Sequence, residues 1–167
     1  MQAPDAPNPN ALKAGASDST QRQSKPGHQL QIPLRGMHLA VVDDVLLNRQ
    51  VARLMLQKGG ATVHEFADGS AFLRALRAPG SHFDAALMDI QMSPMDGLEA
   101  TRLIRAERQA NWRSIPIVAM TGNLMQQEKE ACLAAGMDDF LPKPLDYSAA
   151  LNALYEAIMA RRNRACA

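Results

Sequence analysis

A chain of 167 residues with a formal net charge of +1 suits one domain with a tail and gives no electrostatic case for a nucleic-acid surface. No apolar run approaches the ~20 residues needed to cross a bilayer, so no membrane span is expected. Two cysteines, Cys132 and Cys166, stand far apart without CxxC spacing, which argues for reduced thiols in a cytoplasmic protein and against a disulfide or metal framework.

Along the chain, Met1 to Asn10 is proline-rich and polar, without the basic start and apolar centre of a secretory signal. Residues 1–35 hold five of the ten prolines (Pro4, Pro7, Pro9, Pro26 and Pro33) and no Phe, Trp or Tyr. Such a segment buries too little apolar surface to offset its ordering entropy, and it reads as a disordered tail or linker. The packed domain is expected over residues 36–162, with 163–167 as a short C-terminal tail.

From Met37 onward, short apolar runs alternate with amphipathic stretches. Leu39–Val42 reads as a buried strand, followed by a helix over Leu46–Lys58 with Leu47, Val51, Leu54 and Met55 on one face and Gly59 as its stop. Thr62–Phe66 is a second strand, Ser70–Arg77 a short helix and Phe83–Met88 a third strand. Asp96 and Glu99 have the N-cap and N3 spacing that opens a helix through Leu103 and Ile104. Ile115–Met120 is a fourth strand, Met125–Ala135 a fourth helix ended by Gly136, and Asp139–Leu141 a short fifth strand. A last helix starts near Ser148, with Leu151, Leu154, Tyr155, Ile158 and Met159 in helical spacing. Five strands alternating with five helices predict an α/β fold, a doubly wound parallel sheet with both faces covered. Such sheets bind their ligands at the carboxyl ends of the strands.

Strand one ends in Asp43 and Asp44, strand three in Asp89, strand four in Thr121 and strand five in Lys143. Three carboxylates brought together repel, and a divalent cation resolves that conflict. Oxygen ligands without a neighbouring His or Cys favour Mg²⁺, or Mn²⁺, over zinc. A carboxylate can act as a nucleophile toward phosphorus, and the cation, the ammonium and the hydroxyl would stabilise the moving group. Taken singly, each residue has a plainer role: an Asp after a strand as an N-cap, Thr121 as turn chemistry, Lys143 as an exposed loop residue. The convergence of four segments argues for a shared site. The histidines (His28, His38, His64, His82) show no metal-pair spacing, and the methionines near the site read as core filling.

The stretches VVDD at 41–44, LMDIQMSPMDGLEATRLIR at 87–105, IPIVAMTGN at 115–123 and AAGMDDFLPKPL at 134–145 closely resemble the response-regulator receiver family, over about residues 37–160. The wording is most similar to receivers attached to hybrid sensor histidine kinases. This resemblance implies a flavodoxin-like sheet of strand order 2-1-3-4-5 and a two-component phosphorelay role, with Asp89 accepting a phosphoryl group from phosphohistidine. It further implies Asp44 as a direct Mg²⁺ ligand, Asp43 largely through water, and the main-chain carbonyl of Gln91 as another. Lys143 would contact the phosphoryl group, with a cis bond to Pro144; Thr121 would swing toward the phosphate and Phe140 would pack inward on activation. Gln91 and Asn123 match positions that tune hydrolysis of the phosphoryl group. The family's proline four residues after the phosphoacceptor is here Ser93, with Pro94 following.

The implied partner is a histidine kinase or a histidine phosphotransfer domain. A switching surface, and a weak dimer, are expected around the fourth helix, fifth strand and fifth helix. The domain would assist its own phosphotransfer and dephosphorylation without being an enzyme for a separate substrate. It could be free-standing or end a longer kinase. A haloacid-dehalogenase type phosphatase also combines Asp, Thr, Lys and an acidic pair. That family places a DxD motif after its first strand, whereas here the acidic pair comes first. A scaffold that binds partners without phosphorylation is the third reading.

Overall fold

The computed structural model describes residues 34–122 and 125–166. The elements run β1 (His38–Val42), α1 (Leu46–Lys58), β2 (Thr62–Phe66), α2 (Gly69–Leu76), β3 (Ala85–Asp89), α3 (Gly97–Arg105), α4 (Ala110–Arg113), β4 (Ile117–Thr121), α5 (Gln126–Ala135), β5 (Asp139–Pro142) and α6 (Tyr147–Ala165). All strand pairs are parallel, in the order β2-β1-β3-β4-β5, as expected. Parallel strands covered on both sides show no polar face, which accounts for the wholly buried β3 and β4.

Because side chains alternate along a strand, the sheet sorts its core into two layers. Leu39 and Val41 of β1, with Leu87, Val118 and Met120, pack against Leu56 of α1 and Leu151, Leu154 and Ile158 of α6. Ala40, Val42, Ala86, Met88, Ile117 and Ala119 pack against Phe72 and Leu76 of α2, Ile104 of α3 and Cys132 of α5. Met88, Met92 and Met120 are buried filling of these layers.

The structure adds to the sequence reading or differs from it at four points. The apolar stripe read on α1 is turned outward: Leu47, Val51 and Leu54 are 66%, 41% and 59% exposed, while Ala52 and Leu56 are buried. Helical spacing marks a stripe without saying which stripe meets the sheet, and the inward one lies one residue, about 100°, further round. A sixth helix, α4, was not expected, since four residues are too few to show a period. Of the expected tail, residues 1–33 lie outside the described residues, but Leu34 is fully buried and its amide donates to the Gly59 carbonyl at 3.0 Å, so it belongs to the packed unit. At the other end, α6 continues to Ala165, where Arg162 and Arg164 approach Asp84 and Asp138 at 3.6 and 3.7 Å.

The turn after β3 is held by Gly97, whose amide donates to the Ile90 carbonyl at 3.0 Å. A Cβ built on Gly97 would lie 2.1 Å from the Asp89 carbonyl oxygen, so α3 can start this close to the strand end only with glycine. Asp96 caps the helix by accepting from the Glu99 amide, as its spacing predicted. Gly97→Ala is expected to lower stability by about 1–3 kcal/mol in urea unfolding, because backbone rather than a flexible side chain must yield.

Candidate functional site

The strand register decides which side chains meet. Val42 of β1 is level with Met88 of β3, so Asp43 and Asp89 follow at equal height. Asp89 is level with Met120 and Thr121 with Pro142, which puts Thr121 and Lys143 at the same carboxyl edge. The Lys143 amide also donates to the Thr121 carbonyl at 2.7 Å, tying the ends of β4 and β5 together.

One carboxylate oxygen from each of Asp43, Asp44 and Asp89 lies within 4.8 Å of the others, and among the described residues no other His, Cys, Asp and Glu group of three or more converges in this way. The Lys143 ammonium donates to Asp43 Oδ2 at 2.8 Å and to Asp89 Oδ2 at 2.7 Å. Asp43 is fully buried; its carboxylate also accepts from the Val45 amide at 2.8 Å and from Asn48 Nδ2 at 3.2 Å to each oxygen, and Arg49 donates to its carbonyl. Asp44 faces solvent. Asp89 is 5% exposed and accepts from the Gln91 amide at 3.3 Å.

These surroundings set the charges. Burial pushes the Asp89 carboxyl above its ordinary value; Lys143 opposes that shift by hydrogen bond and charge, and Asp43 adds to it. Burial works against the Lys143 ammonium, but its bonds to Asp43 and Asp89 outweigh this and raise its pKa. Three carboxylates clustered around one ammonium, which bonds only two of them, leave an excess of negative charge, and their all-oxygen donor set fits a hard divalent cation.

Thr121 is buried at the strand end, and its hydroxyl donates to the Glu128 carboxylate on α5. Phe140 is half-buried against the second core layer. The Lys143–Pro144 peptide is cis, as the resemblance implied, and so is Ser93–Pro94. Asn123 lies outside the described residues.

Sequence reasoning missed several contributors. Asn48 reaches the Asp43 carboxylate from the inward stripe of α1, a role visible only once that stripe is known. Arg105 donates to the carbonyls of Gly136, Arg113 and Ile115 and to Asp138, whose carboxylate in turn accepts from the Ile117 amide. This network fixes the start of β4, and no local pattern announces it. His38, His64 and His82, distant in sequence, meet near the amino-terminal edge of the sheet; the His38 ring centroid lies 6.0 Å from that of His64 and 5.9 Å from that of His82.

Known proteins resemble the chain in sequence and in fold. Residues 39–155 match the family model described as the response regulator receiver domain. Histidine kinase 2 of Arabidopsis thaliana is 40% identical over 132 residues, which are 68% of this chain and 11% of that protein. Probable histidine kinase 6 of Oryza sativa subsp. japonica is 35% identical over 163 residues, 88% of this chain and 16% of the relative. The chain thus spans only a small part of the length of these relatives. Among solved structures, the receiver domain of a sensor histidine kinase from Pseudomonas aeruginosa PAO1 aligns with a TM-score of 0.64 at 39% identity, covering 74% of this chain and 98% of that one; it has a magnesium ion coordinated in its active-site cleft. The Vibrio cholerae chemotaxis protein CheY4 aligns with a TM-score of 0.64 at 29% identity, covering 72% of this chain and 98% of its own. The match of the family model over residues 39–155, most of the packed unit, means that this chain belongs to the response regulator receiver domain family of two-component systems.

Proposed function

We propose that Asp89 accepts a phosphoryl group from a phosphohistidine of a histidine kinase or a histidine phosphotransfer domain. The observation that carries this reading is the Lys143 ammonium held within 2.8 Å of both Asp43 and Asp89 at the carboxyl edge of the sheet. A carboxylate oxygen of Asp89 attacks phosphorus, a P–O bond forms, the P–N bond to the donor imidazole breaks, and the leaving nitrogen keeps the electron pair. Lys143 already donates to Asp89 and can follow the charge onto the incoming phosphoryl oxygens. Asp44, exposed beside the buried Asp43, suits direct cation binding, with the Asp89 carboxylate and the Gln91 carbonyl as further ligands. Asp43, whose oxygens already serve Val45, Asn48 and Lys143, suits contact through water. Bound Mg²⁺, or Mn²⁺ in its place, would offset the charge of the acidic cluster and of the phosphoryl oxygens. The site therefore assists its own phosphorylation, and the later hydrolysis of the acyl phosphate, without turning over a separate substrate.

The outward face of α1 supports a docking role. Leu47, Val51, Met55, Pro144 and Leu145 line an apolar hollow of about 300 Å³ that reaches Lys143, so a donor helix seated there brings its phosphohistidine to the edge where Asp89 lies. Phosphorylation would then bias Thr121, Phe140 and the α5–β5–α6 face, which also suits a weak dimer. No described helix is long and apolar enough to cross a membrane; a cytoplasmic location follows from the two-component role.

Two outcomes are expected. Incubated with acetyl phosphate and Mg²⁺, the protein gains one phosphoryl group per chain and Asp89→Asn gains none; full labelling of the variant, read by intact-mass spectrometry, would overturn the assignment. In Mg²⁺-free buffer, Lys143→Ala lowers stability by about 1–3 kcal/mol, since it leaves Asp43 and Asp89 without their shared donor. Saturating Mg²⁺ recovers part of that loss in urea unfolding; a variant as stable as the parent would contradict the bridging role.

A further inference from the structure

We propose that Glu128 is a positioning residue for the switch: it holds the Thr121 hydroxyl in the unphosphorylated arrangement and so sets how readily the site accepts a phosphoryl group. The proposal rests on the assignment of Asp89 as phosphoacceptor. Thr121 ends β4 beside the acidic cluster, and its hydroxyl donates to the Glu128 carboxylate in the first turn of α5. An O–H to carboxylate bond is charge-assisted and among the stronger side-chain contacts. A hydroxyl carries one proton. While Glu128 takes it, Thr121 has none to give to a phosphoryl oxygen on Asp89.

The two acceptors therefore compete for one donor, and phosphorylation must break the Glu128 contact before Thr121 can follow the phosphate. The next residue strengthens the case. The Lys129 ammonium stands 5.1 Å from the centroid of the Phe140 ring, within cation–π range. One turn of α5 thus grips both residues expected to move, Thr121 through Glu128 and Phe140 through Lys129. A bond that exists only in the resting state stabilises that state, and its loss shifts the population toward the activated one. Glu128 is only half-buried, so water competes for its carboxylate, and breaking the bond corresponds to about a three- to tenfold change in equilibrium.

The test measures the affinity of the full chain for beryllofluoride, a tetrahedral phosphoryl mimic, in saturating Mg²⁺, by amide NMR titration. Glu128→Ala is expected to bind about three- to tenfold tighter than the parent. Glu128→Gln, which keeps a neutral acceptor of the same length, is expected to fall between them. In a Thr121→Ala background the Glu128→Ala change is expected to have no effect, since the hydroxyl it acts through is gone. Unchanged affinity in Glu128→Ala, or a gain that persists without the Thr121 hydroxyl, would overturn the latch while leaving the phosphoacceptor reading intact. A parent protein that takes up no beryllofluoride would overturn that reading and the latch with it.

Discussion

Three carboxylates and one ammonium at the edge of a parallel sheet set the terms for the rest of this molecule. Two of the acids, Asp43 and Asp89, are almost sealed from water, where an unpaired negative charge is costly. Lys143 reaches both from β5, and that single bridge ties the ends of β1, β3 and β5 into one unit. The bridge does not neutralise the cluster, because Asp44 adds a third charge. A site left with surplus negative charge and oxygen ligands is prepared for a hard cation, and a cation there prepares it for the negative oxygens of a phosphoryl group. Its chemistry follows from incomplete compensation.

The remainder of the fold delivers these side chains at the right height. Parallel pairing places Asp43 and Asp89 level, and Gly97 lets α3 begin against the backbone of Asp89 itself. The Arg105 network fixes the start of β4 from the far side, so the position of Thr121 at its other end is set by the strand between. The strands hold the acids in place, while Thr121 and Phe140 are each contacted from α5, by Glu128 and Lys129.

What the sequence made legible was the part with strong local signals. Short apolar strands bounded by polar residues marked the alternation, and the residues just past each strand marked a candidate site, since doubly wound sheets bind ligands at the carboxyl edge. Asp43, Asp44, Asp89, Thr121 and Lys143 do meet there. The orientation of α1 was not legible: Leu47, Val51 and Leu54 form an apolar stripe, but the small Ala52 with Leu56 allows the closer approach to the sheet and takes the inward side. The outward orientation is informative, since the exposed stripe borders Lys143. Arg105 with Asp138, and Thr121 with Glu128, also escaped notice. Both pairs depend on tertiary placement, Arg105 and Asp138 being 33 residues apart. The short α4 lies below the length at which a period can be read.

The most direct measurement is a crystal structure of the chain grown with Mg²⁺ and beryllofluoride. The account predicts beryllium bonded to an Asp89 carboxylate oxygen, a cation held among Asp43, Asp44 and Asp89, and the Lys143 ammonium in contact with a fluoride. Beryllofluoride absent from Asp89, or a cation bound away from the acidic edge, would contradict it.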